Sequence, residues 1–181
     1  MSELFSIQLQ NRQQQGGDGV WLDLPTTTEQ VQAALRQIGI SSDNPQGLFI
    51  SGYFAEEEKR FAIPYNMVLA SNVDELNFLA SRLETLSAGE RAELNAALQA
   101  PQSELSSIGR IIDFPENVDY YVHLPDVRGP AQLGDYYLNR SGMVDMPEEW
   151  KGGIDTAQFG RYVAQQEQGA FTQYGYLVKS G

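Results

Sequence analysis

The sequence contains no cysteine. That absence excludes disulfides, thiolate nucleophiles and thiolate metal sites. A single histidine, His123, leaves no multi-histidine metal centre and little scope for acid–base relays. No run of about 18 apolar residues occurs, so no membrane span is expected. Met1-Ser2-Glu3-Leu4 lacks the basic and apolar regions of a secretory signal, and the expected location is the cytoplasm. Basic residues are scarce: 12 Lys and Arg stand against 24 Asp and Glu, a formal net charge of −12 over 181 residues. Such a surface repels nucleic acid and anionic membrane and attracts proteins with basic grooves. Any chemistry would rest on carboxylates, Tyr and Arg, and no cofactor or metal is implied.

The acidic excess is spread evenly. Residues 1–60 carry 8 acids and 4 bases, residues 61–110 carry 6 and 3, and residues 111–181 carry 10 and 5. An acidic tail would have concentrated the charge in one segment.

The hydrophobic pattern predicts an α+β fold in three modules. In the first, 1–62, Phe5, Ile7 and Leu9 alternate along Leu4–Leu9, and Val20, Leu22 and Leu24 alternate along a second strand. Polar, Gly-rich residues 11–19 join the two. Thr26 and Glu29 have capping-box spacing ahead of a helix with Val31, Ala34, Leu35 and Ile38 inward and Gly39 as its stop. Leu48–Phe54 is the third strand. The central module, 63–110, reads as helical. Asn72 with Glu75, and Ser87 with Glu90, repeat the capping spacing; Pro101 ends the second helix, and a short helix covers Ser103–Arg110. The last module, 111–181, is mixed. Val118–Leu124 reads as an aromatic extended stretch and Pro130–Arg140 as a helix stopped by Gly142. Asp155 caps a helix carrying Phe159, Tyr162 and Val163, and Phe171–Val178 is a hairpin or strand.

The candidate sites compete with plainer readings. Glu56-Glu57-Glu58 is the densest acidic run, but adjacent residues do not converge on one ion, so a solvated turn is expected. His123 reads as structural, having no evident orienting acid. Gly17-Asp18-Gly19 lacks the Lys-Ser/Thr and helix start of a phosphate cradle. No pair among the acids is singled out for two-carboxylate hydrolysis.

Several segments, in order, resemble the ArdA antirestriction family over about 170 residues. Gly19-Val20-Trp21-Leu22-Asp23-Leu24-Pro25 is similar to a family segment before its first helix, and Leu48–Tyr53 to a following strand. Val73-Asp74-Glu75-Leu76-Asn77 fits its central helix start. In the last third, Glu116-Asn117-Val118-Asp119-Tyr120-Tyr121, Leu133-Gly134-Asp135-Tyr136-Tyr137, Phe159-Gly160-Arg161 and Gly169–Tyr176 resemble family segments. The chain departs from the family pattern in being less acidic, with Gly52 near a common Asp and Tyr162-Val163 after Gly160-Arg161.

The resemblance implies an elongated three-module protein, a homodimer through its C-terminal part, that is not an enzyme. It implies carboxylates standing in for phosphates in the DNA-binding groove of type I restriction–modification enzymes. The exposed acids expected to do so are Asp18, Asp23, Asp43, Glu56, Glu57, Glu58, Asp74, Glu75, Glu84, Glu90, Glu93, Asp126, Asp135, Asp145, Glu148 and Glu149. Leu133, Tyr136, Tyr137, Phe171 and Tyr176 are expected in the core or a dimer contact. At about 1.7 Å of duplex per charge, 24 carboxylates match about 41 Å of axis and the net charge about 20 Å, so the position of the bases matters. Two alternatives stand beside this: a divergent acidic protein-interaction module of the same fold without strong mimicry, and a carboxylate-dependent enzyme.

Overall fold

The computed structural model describes residues 3–14, 16–41 and 43–179. Met1, Ser2 and Gln15, which the sequence reading touches, lie outside them. The fold is α+β, as expected. Its residues group into two compact units: Met1–Leu86 with Ser106–Ile112, and Ser87–Leu105 with Asp113–Gly181. The expected helical segment 63–110 is shared between these two units.

In the first unit, β1 (Phe5–Asn11), β2 (Val20–Leu24) and β3 (Leu48–Phe54) form an antiparallel sheet in the order β2-β1-β3. Phe5, Ile7 and Leu9 are buried and alternate with half-buried Ser6, Gln8 and Gln10, so the two-residue period sets the faces. α1 (Thr28–Gln37) buries Val31, Ala34 and Leu35. Its cap is Thr27, whose side chain accepts from the Gln30 N–H, and not Thr26 as the spacing suggested. Thr26 is instead held by Asn77: its N–H donates to Asn77 Oδ1 at 2.8 Å, and its carbonyl accepts from Asn77 Nδ2 at 3.0 Å. α1 ends as expected at Gly39, with φ +73°. The Gly39 N–H reaches Arg36 O and the Ile40 N–H reaches Leu35 O, a Schellman closure. α2 (Tyr65–Leu69) packs on β3, and α3 (Val73–Leu83), capped by Asn72, packs on β2. Leu76, Leu79 and Ala80 of α3 are fully buried.

In the second unit, α4 (Ala88–Gln99) opens with a complete Ser87–Glu90 capping box and packs on the C-terminal sheet. The helix expected over Ser103–Arg110 forms later, as α5 (Ile108–Asp113), which starts in the first unit. Glu104 sits at φ 59°, in the left-handed region, and breaks the helical path there. Residues Phe114–Tyr120 are a 3-10 helix with Pro at its start, so the expected extended stretch begins only at β4 (Tyr121–Leu124). α6 (Pro130–Asp135) continues into one π-helical segment, Tyr136–Arg140. A four-residue helix the pattern did not suggest, α7 (Glu148–Lys151), precedes α8 (Thr156–Glu167). β5 (Ala170–Thr172) and β6 (Gly175–Lys179) form the expected hairpin, in a sheet of order β4-β6-β5.

α6 and α8 approach backbone to backbone. A Cβ on Gly134 would stand 1.9 Å from the Thr156 carbonyl oxygen, and one on Gly160 would stand 1.8 Å from that of Pro130. This contact turns Gly160 and Ala164 inward and leaves Tyr162 60% exposed. The core beside it holds Val127, Leu133, Ala164, Tyr176 and Val178.

Candidate partner-binding surface

Apart from half-buried Glu75 and Glu93, the sixteen candidate acids are exposed. They reach the surface by different local devices. Asp18 lies in the turn before β2, where its carbonyl accepts from Gln8 Nε2 at 2.9 Å. Asp23 projects from β2 and accepts from Ser6 Oγ of β1 at 2.5 Å. Asp43 lies in the loop after α1, its N–H bonded to Ser41 Oγ. Glu57 and Glu58 open the 3-10 turn after β3 and Glu56 stands at its N-cap, all exposed, as the solvated-turn reading expects. Asp74 and Glu75 stand in the first turn of α3 and Glu84 at its end. Glu148 and Glu149 open α7, while Asp126 and Asp145 lie in loops. Acids in a first helical turn complement the positive end of the helix dipole, so the fold holds them in place.

The second unit brings acids together. Glu90 is held by the capping box, and the Ser87 backbone N–H, followed by its side chain, keeps the Glu90 carboxyl below the usual range. Glu93, one turn on, is pushed up by burial first and then by the charges of Glu90 and Asp119. Asp119 belongs to a row that sequence reasoning missed. Asp113, Glu116 and Asp119 are exposed and spaced by three residues along or beside the 3-10 segment. With three residues per turn and a rise of about 2 Å, such positions stack along one edge roughly 6 Å apart. An extended reading of the same residues would have split them between two faces.

The bases are partly drawn away from this surface. Arg12 stacks on Phe49 at 5.0 Å and Arg82 on Phe78 at 5.7 Å. Lys59 donates to the Glu3 carbonyl and Arg60 to that of Ala55. Two candidate acids do meet cations. Asp135 lies 3.8 Å from Arg140, which also stacks on Tyr136, and Glu148 lies 2.9 Å from Lys151. Part of the field of Asp135 and Glu148 is therefore cancelled. By unit, the first carries 11 acids and 6 bases and the second 13 and 6.

A scan against protein-family models matches residues 16–178 to the family described as Antirestriction protein (ArdA). The chain belongs to this family. Its function is thus antirestriction, an inhibitory role that engages restriction enzymes. A search of curated proteins returned no match. No helix among the described residues is long and apolar enough to cross a membrane. Among them there is also no group of three or more His, Cys, Asp or Glu placed to hold a metal ion.

The core or dimer candidates of this ArdA chain lie in or against the second unit's core. Leu133 and Tyr176 are fully buried, and Tyr136, Tyr137 and Phe171 are half-buried against the same cluster. Sequence reasoning missed what joins two of them. Glu167, at the end of α8, accepts from the Tyr176 hydroxyl at 2.6 Å and from the Tyr137 hydroxyl at 3.0 Å. Burial first, then Glu167, pushes the Tyr137 hydroxyl up to about 12 and raises that of Tyr176 further. His123 has a structural partner, with Nε2 2.8 Å from the Tyr174 carbonyl in the hairpin turn. Large apolar side chains left exposed in this unit include Met143, Trp150 and Tyr162.

Proposed function

We propose that this antirestriction protein is a DNA mimic, whose exposed carboxylates stand in for duplex phosphates in the DNA-binding groove of a type I restriction–modification enzyme. It blocks DNA binding by competition and catalyses nothing. The placement of the acids supports this reading: fourteen of the sixteen candidates are exposed, and beside Glu93, whose carboxyl burial raises first, the charges of Glu90 and Asp119 add to the rise. Folding alone gains nothing from crowded like charges, whereas a positive groove rewards them. Duplex DNA in such a groove gains from release of its condensed counterions. A folded acidic protein offers fixed charge without the cost of bending a duplex. The phosphate-mimicking set is the sixteen acids named above, with Asp113, Glu116 and Asp119 added and with Asp135 and Glu148 weakened by their cations.

The protein acts as a homodimer through its second unit in this proposal. The support is the exposed apolar side chains Met143, Trp150 and Tyr162, of a kind that a second copy covers. Light scattering tests it, and a monomer at the concentration that inhibits would contradict it. The inhibitory proposal is tested by displacement of labelled duplex from a purified type I enzyme.

A further inference from the structure

The outer face of the first sheet carries a feature that phosphate mimicry does not use. Trp21 on β2 is 50% exposed, and Phe54 on β3 is 57% exposed. Across the strands, Trp21 pairs with Gln8, which pairs with Gly52; Asp23 pairs with Ser6, which pairs with Phe54. Glycine in the middle of a strand weakens it and marks a close approach. Here the approaching group is the indole. A Cβ on Gly52 would stand 3.1 Å from Trp21 Cη2 and 3.1 Å from Gln8 Oε1. The indole therefore lies across the sheet on a seat that Gly52 leaves open. A concavity beside it is lined by Trp21, Glu3, Asp23, Pro25, Thr27 and Gln30. Asp23 is fixed there by its bond from Ser6.

An exposed indole flanked by carboxylates suits a cation with a flat face. Arginine stacks on aromatic rings and pairs with carboxylates through the same planar group, while lysine offers only a point charge. Interface energy concentrates on Trp, Tyr and Arg, whereas a rim charge contributes little. We propose that Trp21, with Asp23 and Glu3, receives an arginine side chain of the partner enzyme and anchors the complex. Charge favours this occupant over a stacked base: the unit holding the pocket carries 11 acids against 6 bases and repels nucleotides. This assignment of an anchor rests on the decoy reading, but the arginine pocket is testable without the enzyme.

Fluorine NMR of the full chain labelled with fluorotryptophan gives separate signals for its two tryptophans, assigned by Trp21→Phe. Titration with a hexa-arginine peptide should shift the Trp21 signal saturably. A hexa-lysine peptide should act more weakly and a single-stranded oligonucleotide not at all, and Asp23→Asn should weaken the arginine response. In duplex displacement, Trp21→Ala should raise the concentration required by about tenfold or more, and Trp21→Phe by less. A Trp21 signal unmoved by the arginine peptide, or moved by the oligonucleotide, overturns the proposal. So does displacement by Trp21→Ala equal to that of the unaltered chain, a result that leaves the decoy reading intact. A chain that binds the arginine peptide but displaces no duplex upholds the pocket and refutes the decoy.

Discussion

In the first unit the acids stand on turns, strand faces and helix starts around a sheet with an open aromatic face. In the second they line helix ends and a 3-10 edge, where burial first and then the charges of Glu90 and Asp119 raise Glu93. The cores differ as well. The first is mainly aliphatic, with Ile7, Leu9, Leu24, Leu76 and Leu79 fully buried beside Phe5 and Phe61. The second is locked by two glycines at the α6–α8 crossing and by one carboxylate shared between two tyrosines. Similar charge loads are thus mounted on unlike supports. A high acid count does not make every acid a phosphate substitute: Glu167 is structural, Asp155 caps α8, and Asp135 and Glu148 meet cations.

The comparison breaks most sharply at the helix crossing. Gly160→Ala should destabilise the second unit by about 3 kcal/mol, because its Cβ meets the backbone carbonyl of Pro130. Gly89→Ala, in α4, meets nothing within 4 Å and should be neutral or stabilising by up to about 1 kcal/mol. Thermal unfolding of the two variants measures the difference; equal melting temperatures would refute the lock.

A smaller loss, about 2 kcal/mol, is expected for Glu167→Ala, which strips the acceptor from two tyrosine hydroxyls. The same clamp gives a pH dependence. The Tyr137 hydroxyl is raised in the folded chain, so the folded state holds its proton longer than the unfolded state. Stability should be constant below the ordinary phenol range and fall as pH rises towards about 12. Glu167→Gln should make that alkaline loss shallower in a denaturant series across pH.

The smallest expected effects lie along α4. Glu90 is lowered in the folded state, so its contribution is present above the usual carboxylate range and lost as pH falls through its folded value. Glu93 is raised, so the sign reverses: its charged form opposes folding, and stability falls as pH rises past the usual carboxylate range. At neutral pH, Glu93→Gln should raise the melting temperature slightly and Glu90→Gln should lower it. Shifts of the same sign would contradict the opposite contributions assigned to the two carboxyls.

The parts of this fold legible in the sequence are those set by short-range rules. Alternation gave β1 and β2 their faces, and the side chains of Asn72, Ser87 and Asp155 cap helices where their spacing placed them. Long-range packing hid the rest. Residues 118–124 look extended because they are aromatic, yet the 3-10 segment that opens at Phe114-Pro115 runs on to Tyr120 and brings Asp113, Glu116 and Asp119 to one edge. The inward face of α8 follows Gly160 and Ala164, small residues whose role appears only once α6 lies against them. Glu167 looked like any surface acid until two tyrosines, thirty and nine residues away in sequence, met at its carboxylate. The exposure of most candidate acids followed from polarity alone, but their crowding and the placement of the bases did not.

Displacement of labelled duplex from a purified type I enzyme by the full chain tests the central claim most directly. The account predicts displacement that grows with protein concentration and weakens as salt is raised, with each single acid-to-amide change costing less than about fivefold. Unchanged duplex binding at low salt, with the chain in large excess, would contradict it.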